Sequence, residues 1–228
     1  MNFKEIKDIH LFKDLTVDEL EAVGNVAKIR KYPKNSVIVI EEEFGDVVYM
    51  IKSGTVKISR VNDSGKEVIL ALLGSGEFFG EMAILDGHSR SANAMAQEQC
   101  EIFAINRADF SYLLTKYHKI SMALLQELAL RIRKSDKQIE VLSLSDAEHR
   151  IGVSILSLAE SKGIMRLGQV TINHLPLQQD IANIAGTSRE TVSRVFKLLE
   201  DKSLIIKEGH SLNIPDFVYF KKVFGKLV

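Results

Sequence analysis

The chain has a single cysteine, Cys100, in 228 residues. One thiol excludes an intramolecular disulfide. It also excludes a cysteine-held iron–sulfur cluster or zinc ribbon within one chain, which need about four ligating side chains. Long apolar runs are missing as well. The longest, Val68 to Leu73, falls far short of the ~20 residues that a membrane-spanning helix needs. Residues Met1 to His10 mix charges with apolar side chains and contain no signal-peptide core. These absences predict a cytoplasmic protein without a membrane partner. There is no net charge either, because 30 Lys and Arg balance 30 Asp and Glu. The balance is uneven along the chain: residues 1–147 carry 19 basic and 22 acidic side chains, residues 148–228 carry 11 and 8. This mild asymmetry points to the C-terminal third if any part of the chain meets phosphate, and by itself decides nothing more. No internal repeat or low-complexity tract is present. What remains, 46% apolar and 26% charged residues, is the mix of an ordinary globular protein, and the length suits one or two domains.

Three textures follow one another. From about Tyr32 to Ile105 the sequence reads as short strands. Val37–Ile40, Val47–Ile51, Val56–Arg60 and Val68–Leu73 are β-rich runs, separated by turn residues such as Gly45-Asp46, Ser53-Gly54 and Asn62-Asp63-Ser64-Gly65. Such spacing predicts a small β-barrel or roll. Ahead of it, Thr16 and Glu19 have the spacing of a capping box at a helix start.

From about Ala108 to Ser145 the period becomes helical. Leu125, Ile132 and Ile139 fall at a positions of a heptad, and Leu128, Ser135 and Leu142 at d positions. From His118 no Pro or Gly occurs until Gly152. A long helix with so narrow an apolar seam calls either for a partner helix from a second subunit or for packing on the protein's own barrel. About three heptads do not choose between the two. The third texture starts near Ala147 and holds an apolar helical stretch from Ile151 to Ala159, two short helices and a final hairpin.

Two segments carry chemistry. In the barrel, Gly76 to Ala92 holds Gly76, Gly80 and Gly87 with Glu81, Arg90 and Ser91. Backbone N–H groups at Gly-permitted turns cradle phosphate oxygens. A guanidinium supplies a planar, permanently charged fork, a hydroxyl supplies another donor, and a carboxylate accepts from a sugar hydroxyl. The alternative is structural: the glycines serve as strand turns, and Glu81 and Arg90 form an ion pair that closes the cassette. His88 reads as a solvent-facing turn residue and Glu41-Glu42-Glu43 as a solvated turn, not a metal site.

In the C-terminal third, Gln178 to Val195 fits a helix-turn-helix. Ile181, Ala185, Val192 and Val195 fall where two helices touch, Ala182 where they cross closely, and Gly186 at the turn that needs positive φ. Leu198 and Leu199 extend the apolar face. The second helix is expected to begin near Thr187 or Ser188. It would expose Arg189, Glu190, Ser193, Arg194 and Lys197, and Arg and Glu at the start of such a helix suit guanine and cytosine edges in the major groove. The alternative is a helical hairpin with a solvated charged face, in which Glu190 closes a capping box with Thr187. Leu204 to Ile214 reads as a hairpin with Glu208-Gly209 at its turn, and Asp216 to Val228 as an amphipathic tail without an assigned role.

The segments Phe79-Gly80-Glu81, Arg90-Ser91-Ala92 and Ser188-Arg189-Glu190-Thr191-Val192, in this order, resemble the cyclic-AMP receptor protein (CRP/FNR) family of transcription regulators. The resemblance implies an α+β fold: an N-terminal cyclic-nucleotide-binding β-roll of jelly-roll type over residues 1–115, a dimerisation helix over 116–146, and a C-terminal winged helix-turn-helix over 147–228. By the same resemblance, Gly80 and Glu81 meet the ribose, Arg90 and Ser91 the cyclic phosphate, and Ser135 and Asp136 on the long helix read the base. Asp136 departs from the familiar Thr-Ser pair at these positions. A carboxylate accepts from the amine of adenine, but guanine offers an N1–H and an amine side by side. Cyclic AMP stays the default effector, with cyclic GMP or another nucleotide as the alternative. At the other end, the resemblance makes Arg189, Glu190 and Arg194 readers of a TGTGA-type half-site, and Gln178, Thr191 and Lys197 phosphate contacts that position without specifying. It implies a homodimer on a palindromic site, with recognition helices about 34 Å apart, and RNA polymerase as a further partner. A regulator of this type that needs no nucleotide, or senses haem or another signal, is the second reading. A nucleotide-regulated enzyme is the third, and no nucleophile–base set, P-loop or metal motif supports it.

Overall fold

The computed structural model describes residues 3–225. The chain divides into two compact units, one up to Ile132 and one from Arg133 onward.

The first unit opens with α1 (Phe3–Lys7), a 3-10 turn (His10–Phe12) and α2 (Val17–Val26). Thr16 caps α2: its side chain accepts from the Glu19 N–H, and the Glu19 carboxylate accepts from the Thr16 N–H at 2.7 Å. The expected capping box is formed. Eight strands follow: β1 (Lys28–Tyr32), β2 (Val37–Val39), β3 (Val47–Ser53), β4 (Val56–Val61), β5 (Glu67–Leu73), β6 (Phe78–Phe79), β7 (Asn93–Ala96) and β8 (Cys100–Asn106), with α3 (Met82–Asp86) between β6 and β7. They make two antiparallel four-stranded sheets, ordered β1-β8-β3-β6 and β2-β7-β4-β5.

The unbroken apolar run of β3 has a physical reason, since this strand is buried on both faces. Val48 and Met50 face a cluster with Phe103, Phe110, Ile6 and Phe12, which joins the sheet to the flanking helices. Tyr49 and Ile51 point the other way, into the roll, against Phe79, Ile102 and Ala104. The barrel reading is confirmed, but four of the eight strands, β1, β6, β7 and β8, lay outside its four runs. Strand β1, Lys-Ile-Arg-Lys-Tyr, sits at a sheet edge and is mostly exposed, so its composition does not signal a strand.

After β8 come α4 (Arg107–Lys116), capped by Asn106, and the 27-residue α5 (His118–Leu144). The long helix is thus interrupted at Tyr117. Ile120 and Leu124 of α5 are buried in the helical cluster of the first unit, and Ala123 and Leu128 pack against it. The heptad a positions do not join them: Leu125, Ile132 and Ile139 are 59%, 62% and 63% exposed. The helix therefore has two apolar stripes, and only one of them packs on the roll.

The second unit continues α5 and adds α6 (Ala147–Lys162), β9 (Ile164–Arg166), β10 (Gln169–Ile172), α7 (Gln178–Ala185), α8 (Arg189–Asp201), β11 (Ile206–Glu208), β12 (Ser211–Ile214) and α9 (Phe217–Phe224). The β9–β10 hairpin joins the expected C-terminal hairpin in one sheet, ordered β11-β12-β10-β9. The tail is helical. Asp216 caps α9, and Phe217, Phe220 and Phe224 are buried, with the Phe224 ring 5.9 Å from that of His149 on α6. The last part of the tail, residues 226–228, lies outside the described residues.

Candidate functional site

The cassette is built on strand β6. Tyr49 of β3 pairs with Phe79, so the chain leaves the sheet at Gly80 and places Glu81 at the cap of α3. Glu81 is almost fully enclosed, at 2% exposure. Its Oε1 accepts from Arg131 Nη1 on α5 at 2.9 Å. Its Oε2 is buried without a hydrogen-bond partner. Arg131 also donates Nη2 to the Phe78 carbonyl and lies 4.4 Å from the centre of the Phe78 ring. Burial pushes the Glu81 carboxyl above its ordinary value, opposed by the charges of Arg131 and Arg90. A desolvated carboxylate with one idle oxygen calls for a donor, and a ligand hydroxyl is a group of that kind. The structural alternative is corrected in its partner: the ion pair of Glu81 is with Arg131 on the long helix, not with Arg90.

Arg90 is 6% exposed. It donates Nη1 to the Gly80 carbonyl at 2.7 Å and Nη2 to the Val47 carbonyl at 2.8 Å, and its guanidinium lies 5.8 Å from the centre of the Tyr49 ring. Burial lowers its pKa, opposed by Tyr49, Asp46 and Glu81, yet a guanidinium keeps its charge in proteins. Two of its five N–H groups are thus spent on holding the head in place. Ser91 is exposed beside it, with its hydroxyl 3.7 Å from Met82 Sδ. Gly80, Glu81, Arg90 and Ser91 therefore gather around one short loop-helix segment. Ser135 and Asp136 are exposed residues of α5 in the second unit.

The sequence reading missed three residues of this region. Arg131 sits one helical turn before Ser135 on α5, and that spacing is a usable signal. Arg107 braces the cassette, donating Nη1 to the Ile84 carbonyl at 3.0 Å and Nη2 to the Ala83 carbonyl at 2.8 Å. Tyr49 reads in sequence only as one more strand residue. His88 is exposed as expected. Glu41 is only partly solvated, since it pairs with Arg60 at 2.5 Å.

In the second unit, α7 and α8 form the expected helix-turn-helix. Gly186 turns the chain with φ +60, the left-handed region that side chains disfavour, and the next N–H, that of Thr187, donates to the Ala182 carbonyl. Ile181, Ala182, Ala185, Val192 and Val195 are buried between the helices. Leu199 is buried with them, whereas Leu198 is 37% exposed and only Leu199 extends the core. Ser188 is the cap of α8, accepting from the Thr191 N–H at 3.2 Å. With the cap at Ser188, the capping-box position belongs to Thr191, and the Thr187–Glu190 box is not formed. Glu190 is left exposed. Its carboxyl is held below the ordinary value by its own backbone N–H and the Ser188 side chain, so it is an acceptor at neutral pH.

Arg189, Glu190, Ser193, Arg194 and Lys197 all lie exposed along α8. Gln178 is half-buried at the start of α7 and lines two open clefts, one with Arg189, Lys207 and His210, the other with Ser193 and Lys197. Lys207 of the hairpin lines both clefts and was not singled out in the sequence. Thr191 is half-buried, 3.2 Å from the Ser188 hydroxyl. Behind the turn, Arg150 of α6 donates to the Ala185 and Ser145 carbonyls at 2.9 Å each, which ties the end of α5 to the helix-turn-helix. Among the described residues, no three or more His, Cys, Asp or Glu side chains form a metal-ion group, and no helix is long and apolar enough to cross a membrane.

Residues 29–117 match the model of the cyclic nucleotide-binding domain, and residues 149–222 that of the Crp-like helix-turn-helix domain. The cyclic AMP receptor protein of Thermus thermophilus is 34% identical over 200 residues, 88% of this chain and 89% of that protein. The cAMP-activated global transcriptional regulator CRP of Salmonella typhimurium is 32% identical over 206 residues, 89% of this chain and 96% of that protein. Among solved structures, the Thermus thermophilus catabolite activator protein is 30% identical, covers 96% of this chain and 100% of its own, and superposes with a TM-score of 0.55. The c-di-GMP responsive regulator CLP of Xanthomonas campestris shares the fold with a TM-score of 0.76 at 23% identity, over 87% of this chain and 99% of that one. The chain belongs to the CRP family of transcription regulators. It combines a cyclic nucleotide-binding domain with a Crp-like DNA-binding helix-turn-helix.

Proposed function

We propose that this protein is a homodimeric regulator whose affinity for a palindromic TGTGA-like DNA site is set by a cyclic nucleotide, cyclic AMP first. The observation that carries the ligand part is the pair of groups on the cassette: a buried guanidinium, Arg90, and a buried carboxylate, Glu81, with one oxygen idle. Arg90 and Ser91 take the cyclic phosphate, Gly80 and Glu81 the ribose, and Ser135 and Asp136 the base. The names of the curated relatives, which are cyclic AMP receptors, support the choice of nucleotide. Asp136 favours a second reading of the base, because a carboxylate matches the paired N–H donors of guanine better than a hydroxyl does. Cyclic GMP is therefore the competing ligand.

The exposed stripe of Leu125, Ile132 and Ile139 supports self-association through residues 116–146. Residues 1–115 then form the ligand domain and 147–228 the DNA reader. Arg189, Glu190 and Arg194 read bases, Gln178, Thr191 and Lys197 hold phosphates, and RNA polymerase is the partner at the promoter. A nucleotide acts on such a dimer only by binding its two arrangements with different affinity. Titration calorimetry of the purified protein with cyclic AMP and cyclic GMP tests the reading. Saturable heat with either nucleotide, lost in Arg90→Ala, is expected. No heat with either would overturn ligand control.

A further inference from the structure

The anion seat depends on a residue that has no side chain. The turn from Ile40 to Asp46, between β2 and β3, lies against the cassette. Its hold is a pair of backbone hydrogen bonds: the Arg90 N–H donates to the Glu43 carbonyl and the Glu42 N–H to the Arg90 carbonyl, both at 2.9 Å. Arg107 adds two more, from its N–H to the Asp46 carbonyl at 2.6 Å and from Nη2 to the Gly45 carbonyl at 3.3 Å. The turn is held in this form against a local preference, because Glu42 has φ +67, a region that disfavours any residue with a Cβ.

This turn presses Gly45 onto the guanidinium. A Cβ on Gly45 would lie 2.0 Å from Arg90 Nε, 2.2 Å from Cζ and 2.3 Å from Nη2. The backbone at Gly45 is not in the left-handed region, so the turn itself does not require glycine there. The space occupied by Arg90 does. From this geometry we infer that Gly45 is a positioning residue for the anion site: its missing side chain lets Arg90 lie between the turn and the Gly80 and Val47 carbonyls, with its other N–H groups held for a cyclic phosphate. The inference rests on the ligand reading above for its consequence, but not for the seat.

The test is a cycle of four full-length proteins: unaltered, Gly45→Ala, Arg90→Ala and the double variant. Thermal unfolding without ligand reads the seat, and calorimetric titration with cyclic AMP and cyclic GMP reads its consequence. In the Arg90 background, Gly45→Ala is expected to lower the unfolding temperature and to weaken nucleotide binding about tenfold or more, through displacement of a charged hydrogen-bonding group. In the Arg90→Ala background the same change is expected to leave the unfolding temperature unaltered, since the new methyl then enters vacated space. Equal thermal effects in both backgrounds, or unweakened nucleotide binding by Gly45→Ala, would overturn the inference. If the unaltered protein binds neither nucleotide while the thermal coupling of residues 45 and 90 is present, the seat stands and the ligand reading fails instead.

Discussion

Arg131 and Glu81, 50 positions apart in sequence, form an ion pair at 2.9 Å that joins helix α5 to the cassette. Only one Glu81 oxygen is used, and the carboxylate is the more deeply enclosed partner. Removing Arg131 therefore strands a charge in a desolvated place. Arg131→Met is expected to destabilise the first unit by about 3 kcal/mol in denaturant titration. Adding Glu81→Gln to that variant should recover part of the loss, because an amide needs no cation. Additive losses in the double variant would show that the two side chains do not act as a pair.

Two carboxylates of this unit set opposite slopes of stability against pH. Lys52 and Lys31 hydrogen-bond to Glu101 and hold its carboxyl down at about 2, against an ordinary value of 4.5. Its contribution is present above 4.5 and is lost as pH falls from 4.5 toward 2. Burial raises the Glu81 carboxyl above 4.5, so its contribution is fully present below 4.5 and is lost as pH rises through its folded value. Thermal unfolding across the acid range should show that Glu101→Gln flattens the limb below 4.5, while Glu81→Gln removes a decline above it. An unchanged acid limb in Glu101→Gln would contradict the first assignment.

On the DNA side, base reading and phosphate holding separate by experiment. Glu190→Ala is expected to relax preference at one position of each half-site, with a loss of about 1–3 kcal/mol of discrimination. Lys197→Ala should weaken all sequences alike and reduce the slope of log affinity against log salt by about 1. Binding measured on a panel of single-base variants at several salt concentrations distinguishes them. Unchanged base preference in Glu190→Ala would remove that residue from the reader.

Self-association is tested on the stripe of α5 that the chain leaves uncovered. Ile132 is 62% exposed, so Ile132→Glu costs the single chain little while placing a charge in any helix–helix seam. Sedimentation is expected to show a dimer for the unaltered protein and a monomer of unchanged helix content for the variant. A dimer that survives the change would move the interface elsewhere.

Much of this was legible in the sequence, for identifiable reasons. Val192, Val195 and Leu199 on α8 follow helical spacing, and Gly186 marks the turn before them, so the reader declares itself locally. Glu81 and Arg90 stand in one short cassette and were found there. The residues that hold them were not. Arg131 reaches Glu81 over 50 positions and Gly45 meets Arg90 over 45, contacts that only the closed roll creates. Strand β1 was hidden because its charged residues lie at an edge, where alternation carries little information. The seam of α5 was ambiguous because two stripes share one helix: Ile120 and Leu124 pack on the roll, whereas Leu125, Ile132 and Ile139 do not.

Capture of a cyclic nucleotide at Arg90 should govern the grip of α8 on DNA, and by linkage DNA should tighten nucleotide binding by the same factor. Fluorescence anisotropy with a palindromic TGTGA duplex, with and without saturating cyclic AMP or cyclic GMP, measures this coupling. The expected result is an affinity at least about tenfold higher with one of the nucleotides, a coupling of about 1.4 kcal/mol, and no such rise in Arg90→Ala. Equal affinity in the presence and absence of both nucleotides would contradict it.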